Sequence, residues 1–546
     1  MPLVRKEFVN AAINKAISLI DYNIQNDLIK QFKFIRRTVL ADIYLSRDEK
    51  TEAIRIMNIL YNRNKMMNND GNRRICEFCK YECLAILYCE HCLRNYLKSR
   101  FSNWTSGNDN IDNLIKKCQL ESLEPEKIIE WIPFNNLQNI KYLPKNGYPE
   151  IYTAVWIGGS YNEWSSKSHR LKRFGKQDVI LKGLKNDDIE SEGWFEEIKS
   201  HLTNNQSPDI IPCYGLTQNP LNGSYMLVMN IMDASLREYL QKNNSQLMWK
   251  ERIQIASDIV VALKSIHDEN KVHRNLHSGN IFFKQANQRF GIGDLGFCGP
   301  VIDQPLKSIY GNLPYIAPEV IAGKEYTFAS EIYSVAILLW EIASGQIPFI
   351  DLEHDHQLAT LIVKGIRPRM VPAIPLEYKN LMKQCWDSDP SKRPDINKLA
   401  DRIRDINKLY QNTSNRSEIG ENLETNKTNG FETDYASKLY QFEKFPQPRN
   451  ATDAEQKAFD NRSAQKNLPN KKKGGIFKVT KIFKRRPSQN DINEKETTKH
   501  QMYYINDKYK IDNNPKLHLK IQEESTILDV KEFLYNGTLN VVDLKT

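Results

Sequence analysis

Apolar positions in the first 70 residues recur at helical spacing. Ile13, Ile17 and Ile20 share one face, and Ile54, Ile56, Ile59 and Leu60 mark another. Steps of three and four without turn punctuation predict a pair of amphipathic helices that pack or oligomerise. A polar, helical stretch runs from Leu93 to about Glu130. Within it Asn108 and Asp109 offer a cap for a helix carrying Ile111, Leu114 and Ile115. After Trp131-Ile132-Pro133 the period shortens to two. Ile140–Tyr142 and Ile151–Trp156 alternate as strands, and Val179–Lys182 and Tyr225–Asn230 read as two more. Helical spacing returns at 248–270 and in a strongly apolar run from Ala329 to Trp340. From 409 onward Asn, Lys, Glu, Ser and Thr dominate and large apolar residues are few, the composition of a disordered tail.

Composition narrows this outline. The net charge of +10 over 546 residues is modest and does not by itself mark a nucleic-acid binder. Charged residues interrupt the first ten positions before a signal peptide forms, and Glu7 and Asp21 oppose a mitochondrial presequence. No window reaches the ~18 apolar residues of a membrane span. These features predict a soluble intracellular protein, cytoplasmic with a nuclear alternative. Nine cysteines in such a compartment point to free thiols or metal rather than disulfides.

Four of the nine form two pairs, Cys76-x2-Cys79 and Cys89-x2-Cys92, nine residues apart. Each pair turns two thiolates toward one point and the loop brings the pairs together, as a tetrahedral Zn²⁺ needs. Four thiolates leave no open position, so the site is structural. Cys83 and His91 lie between the pairs as competing ligands.

Further on, chemistry-bearing residues follow one another in a fixed order. Lys182 ends a strand, and Glu197, with adjacent Glu196 as second choice, stands on the next helix. Met229 closes the strand that leads to a hinge. His273-Arg274-Asn275-Leu276-His277-Ser278-Gly279-Asn280 precedes Asp294-Leu295-Gly296, then Ala317-Pro318-Glu319 and Arg393-Pro394. Together these resemble the protein kinase family, most closely its tyrosine-kinase-like branch. A Cys-pair module ahead of such a domain is also similar to an expanded group of fungal kinases.

The resemblance implies an α+β, two-lobed kinase fold. A helical region (1–70) and a zinc-ribbon-like module of four cysteines (71–100) precede it, joined by a helical connector (101–134). The domain spans 135–408 and a disordered basic tail (409–546) follows. The cofactors implied are ATP and Mg²⁺. Lys182 is the expected phosphate ligand and Glu197 its ion-pair partner. Asn280 and Asp294 are the expected Mg²⁺ ligands, Met229 guards the back of the adenine pocket, and Arg393 pairs with Glu319. At position 331 the family usually has Asp to hold the catalytic-loop backbone; here Glu331 is one methylene longer. Arg274 is available to meet a phosphorylated Ser308 or Tyr310, side chains that read equally as solvated loop residues.

The departures from the family gather at the reaction centre. The carboxylate that accepts the substrate hydroxyl's proton is replaced by Asn275, and an amide is no base. A Lys two residues on is replaced by His277. The phosphate-covering loop has Pro144, Asn146 and Pro149 at its glycine positions, with Gly147 the one glycine left to help the turn. These changes favour an ATP-binding pseudokinase or strongly attenuated kinase in intracellular signalling, with a protein substrate or partner. The alternatives are an active Ser/Thr kinase, and an adaptor acting through the zinc module and basic tail. In that tail, Lys471–Arg486 holds eight basic and no acidic residues among Ile476, Phe477, Val479, Ile482 and Phe483, a candidate contact for anionic membrane or nucleic acid.

Overall fold

A computed structural model of the chain describes residues 4–143, 150–184, 193–301, 308–412, 437–442 and 445–466. Among these, no helix is long and apolar enough to cross a membrane. The N-terminal region holds three helices, α1 (Lys6–Ser18), α2 (Leu28–Leu40) and α3 (Arg47–Asn68), where periodicity suggested a pair. Their caps explain the extra break. The Asp27 side chain accepts from the Lys30 amide, and Ser46 with Glu49 forms a reciprocal capping box. Neither start needs Gly or Pro, so both were hidden in a continuous apolar pattern. Val9, Ile13 and Ala16 of α1 bury against Val39, Ala53 and Met57. The bundle rests on the large lobe, with Asn10 and Asn14 donating to the carbonyls of Ala286 and Asn287 at 2.8 and 3.0 Å and Lys408 paired with Asp21 at 2.8 Å.

The Cys module consists of a hairpin, β1 (Arg74–Ile75) and β2 (Glu82–Cys83), and α4 (Glu90–Lys98). Next, α5 (Asp109–Glu121) starts at Asn108, whose side chain accepts from the amides of Asn110 and Ile111. This helix is more than a connector: Ile111, Ile115 and Cys118 enter the small-lobe core.

That lobe is built on a six-stranded sheet, ordered β3-β9-β10-β8-β5-β4. In chain order its strands are β3 (Glu130–Trp131), β4 (Leu137–Leu143) and β5 (Ile151–Trp156). An inserted hairpin follows, β6 (Tyr161–Ser165) and β7 (Arg170–Arg173). Then come β8 (Gln177–Gly183), helix α6 (Gly193–Thr203), β9 (Cys213–Gln218) and β10 (Tyr225–Asn230). The sheet begins ahead of residue 135, because β3 pairs in parallel with β9. At Gly215 a Cβ would fall 1.8 Å from the Glu130 carbonyl oxygen, so only glycine permits that approach.

The inserted hairpin has a structural job of its own. Trp164 and Leu171, one on each of its strands, bury among Cys83, Ala85, Tyr88, Leu93 and Leu97, which fastens the Cys module to the small lobe.

The large lobe opens with β11 (Ala234–Ser235), α7 (Leu236–Asn243) and α8 (Trp249–Asp268), then β12 (Ile281–Lys284), β13 (Arg289–Ile292) and β14 (Ile309–Gly311). It continues through α9 (Pro318–Ile321), α10 (Phe328–Ser344), α11 (His356–Val363), α12 (Leu376–Cys385) and α13 (Ile396–Asn412). Every residue of α10 from Ser330 to Ser344 is buried, which is why its sequence is apolar all round.

Part of the stretch assigned by composition to a disordered tail is folded. β15 (Lys438–Tyr440) pairs with β14, and α14 (Asp453–Lys466) lies on the large lobe. Tyr440 is buried in the large-lobe core, and Phe442, Phe445 and Phe459 pack against it, an anchorage that average composition does not register. Lys471–Arg486 lies outside the described residues.

Candidate active site

Strand β8, held between β5 and β10, fixes Lys182 on the inner face of the sheet. Its Nζ donates to Glu197 Oε1 at 2.8 Å and to Asp294 Oδ1 at 2.6 Å. The alternative partner, Glu196, is exposed and pairs with Lys199 instead. Gly296 makes room for the Glu197 carboxylate, since a Cβ there would lie 3.1 Å from it. Burial opposes charge on Lys182, but the carboxylates of Asp294 and Glu197 outweigh it and hold the ammonium above its ordinary range. Burial likewise opposes charge on Asp294, and Lys182 prevails to hold that carboxyl well below the usual range.

The loop from 272 to 280 is pinned from beneath. His273 Nε2 donates to the Gly293 carbonyl at 2.9 Å, and the Asn275 amide donates to His273 Nδ1 at 3.3 Å. Glu331 accepts from the Arg274 amide at 2.7 Å and from His267 Nε2 at 2.9 Å, so its longer side chain still holds the loop backbone. Arg274 and Asp294 both adopt left-handed backbone, φ 65° and 58°. Such non-glycine geometry costs on the order of 1–3 kcal/mol and persists where surrounding contacts impose it. The Arg274 guanidinium donates to the carbonyls of Phe297 (2.9 Å) and Pro300.

At the centre, Asn275 Nδ2 faces Asp294 Oδ2 at 3.4 Å. Asn280 Nδ2 donates to the Asn275 carbonyl at 2.9 Å and faces the same Asp294 oxygen at 3.4 Å. Lys182, Glu197, Asn275, Asn280 and Asp294 therefore form one site. Met229 packs behind it with Ile198, Leu202 and Leu227. Pro144, Asn146, Gly147 and Pro149 lie outside the described residues. Lower down, Arg393 forks onto Glu319 at 2.6 and 2.8 Å, fully buried.

One contributor was missed by sequence reasoning. Ser437 Oγ lies 2.9 Å from Asn275 Oδ1 and 3.0 Å from His277 Nε2. It sits in a stretch of tail-like composition 162 residues from Asn275, and the only local signal is the aromatic spacing of Tyr440, Phe442 and Phe445 that follows it.

The Cys module makes a second site. The sulfurs of Cys76, Cys79, Cys89 and Cys92 all lie within 4.8 Å of one another. Cys83 is outside this group, and His91 turns its Nε2 to the Glu82 carbonyl at 3.0 Å. Burial opposes charge on Cys76, but amides of Cys79 and Phe78 turned toward its sulfur bring the thiol down to about 7. A closed set of four thiols with such support fits a tetrahedral Zn²⁺.

Residues 148–403 match the family model for protein tyrosine and serine/threonine kinases. Among curated proteins the chain is 25% identical over 376 residues to "Cyclic GMP-binding protein C" of Dictyostelium discoideum, covering 60% of this chain and 14% of that protein. It is 26% identical over 298 residues to "Probable serine/threonine-protein kinase gdt4" of the same organism, covering 53% and 17%. To a "Dual serine/threonine and tyrosine protein kinase" of Danio rerio it is 35% identical over 176 residues, covering 32% and 20%. The chain thus spans a fifth or less of the length of these relatives. The matched region contains the Lys182–Glu197 and Arg393–Glu319 pairs together with Asn280 and Asp294, and residues 148–403 form a domain of the protein kinase family.

Proposed function

We propose that the domain binds Mg²⁺-ATP and acts in signalling as a pseudokinase or strongly attenuated kinase. The observation that carries this reading is Asn275. Its amide stands at the position of the family's proton acceptor, between Asp294 and the hydroxyl of Ser437, beside a retained Lys182, Glu197, Asn280 and Asp294. Bound Mg²⁺-ATP supplies a transferable phosphoryl group. Lys182 is the group to bind its phosphates, and Asn280 and Asp294 are the groups to hold the metal. Asn275 orients a hydroxyl through Oδ1 but cannot take its proton, and such a loss costs roughly 10²–10⁴-fold in rate. The aligned Lys182–Glu197 pair supports a second reading, slow Ser/Thr transfer. The four gathered thiols support a structural Zn²⁺, and the CxxC spacing favours a reducing compartment, cytoplasmic with a nuclear alternative.

The deciding experiment combines thermal shift with Mg²⁺-ATP and radiolabelled phosphate transfer, on the full chain and on Lys182→Ala. Nucleotide-dependent stabilisation without transfer is expected. Transfer by the parent that Lys182→Ala abolishes would instead establish an active kinase, and absence of any shift would remove nucleotide from the reading.

A further inference from the structure

Ser437 belongs to a docked segment. β15 runs antiparallel to β14, with Tyr440 opposite Ile309, Leu439 opposite Tyr310 and Lys438 opposite Gly311. A strand added to an exposed edge gains main-chain hydrogen bonds, while pockets for its side chains supply specificity.

The hydroxyl at its start has a complete set of partners. The Gly279 amide donates to His277 Nδ1 at 3.1 Å, so the ring proton resides on Nε2 and is donated to Ser437 Oγ. Ser437 donates in turn to Asn275 Oδ1, and Asn275 Nδ2 faces Asp294. Every donor meets an acceptor, and no group in the relay removes the serine proton. Burial keeps His277 neutral by bringing its imidazole down to about 3, which preserves this polarity.

Past the serine, the anchors are aromatic and then polar. Tyr440 is buried and stacks on Phe442, and Phe445 stacks on His356 of α11 at 5.1 Å. Ser388 donates its amide to Asn450 Oδ1 (2.9 Å) and its hydroxyl to the Arg449 carbonyl (2.8 Å). Gly365 is shaped for this backbone: a Cβ there would come within 2.2 Å of the Ala451 nitrogen.

We propose that the face running from Asn275 and His277 along β14 to α11 is a binding site for a peptide strand of the pattern Ser-x-x-Tyr-x-Phe, and that residues 437–442 and 445–451 of this chain are its resident occupant. The serine lies where an acceptor hydroxyl would be presented, and it is held without being activated. A partner offering the same pattern must displace the resident segment. Twenty-four residues join Asn412 to Ser437, and a tether of that kind supplies an effective concentration on the order of millimolar. Free peptide therefore competes poorly until the segment is released. The proposal uses the peptide groove of the kinase-domain reading but requires neither nucleotide nor phosphate transfer.

The test is fluorescence anisotropy without nucleotide, using a labelled peptide of residues 435–452 and two full-length proteins, native and Tyr440→Ala/Phe442→Ala. The variant is expected to bind the peptide at least about tenfold more tightly than the native chain does. A peptide bearing Tyr440→Ala should lose about tenfold or more on the variant, as anchor truncation does. Equal binding by both proteins overturns the proposal, as does no binding by a variant that keeps the native melting transition. A second measurement leaves the anchors in place: benzoylphenylalanine at Leu439 of the native chain should photocrosslink within the monomer to residues 308–312. Crosslinks only elsewhere, or none, would also overturn it. Because nucleotide is absent, a failure of ATP binding leaves these outcomes unaffected.

Discussion

Asn275 and Lys182 set the chemistry of the site from opposite sides. Asn275→Asp puts a carboxylate where Ser437 Oγ already donates a hydrogen bond. Transfer of radiolabelled phosphate is expected to rise by about 10²-fold or more, and an unchanged rate would place the defect elsewhere, in the phosphate-covering loop. Combining it with Lys182→Ala should abolish the gain. Buried histidines make the fold acid-sensitive. His201 and His277 are both buried and brought down to about 3, whereas an unfolded imidazole titrates near about 6.5. As pH falls below about 6.5 the unfolded chain takes up protons that the folded chain refuses. Stability should then drop by about 1.4 kcal/mol per pH unit for each histidine until about pH 3. Urea unfolding across this range measures the slope, and His201→Gln with His277→Gln should reduce it while His354, partly buried and brought down to about 4, keeps its own share.

Secondary elements are locked together by a few buried polar contacts. Arg393, just ahead of α13, reaches Glu319 of α9 and the Ala329 carbonyl in α10. Arg393→Ala leaves the Glu319 carboxylate buried and unpaired, so the expected loss is about 3–5 kcal/mol, read as a lower denaturant midpoint. A loss under about 1 kcal/mol would mean that water replaces the guanidinium. The inserted hairpin acts differently, through apolar contact. Trp164 lies edge-on to Tyr96 of α4 at 5.6 Å, and Phe78 stacks on His169 at 3.8 Å. Trp164→Ala should cost about 3–5 kcal/mol if it leaves a cavity there. Its further signature is faster amide exchange in α4 with little change in α10.

Across residues 4–466 these contacts make the parts interdependent. The Cys module shares a cluster with the hairpin, and α3 is tied to the small lobe where Arg63 forks onto Glu124. A Zn²⁺ held by the four thiols, as proposed, should therefore support more than the module. A strong chelator is expected to release about one Zn²⁺ per chain and lower the main thermal transition, and Cys92→Ser should behave the same way. An unchanged main transition with a separate early one would show that the module unfolds alone.

The kinase site was legible in the sequence because its members are set by short-range context: a lysine closing an apolar strand, a glutamate in the first turns of a helix, an Asn and an Asp-x-Gly a few residues beyond the loop. Each such signature survives without knowledge of the fold. The Cys pairs were legible for the same reason, and so was the Asn at position 275, which is a single letter. Three features depended on the tertiary structure. Helix α5 and strand β3 became part of the small lobe, the inserted hairpin became the seat of the Cys module, and β15 and α14 became part of the large lobe. In each, polar sequence with a few scattered anchors carries no strong periodicity. The energy comes from contacts with distant segments, such as Ser437 with Asn275 or Tyr440 with the large-lobe core. Local pattern fixes which chemistry the chain holds; only long-range packing decides what is brought to it.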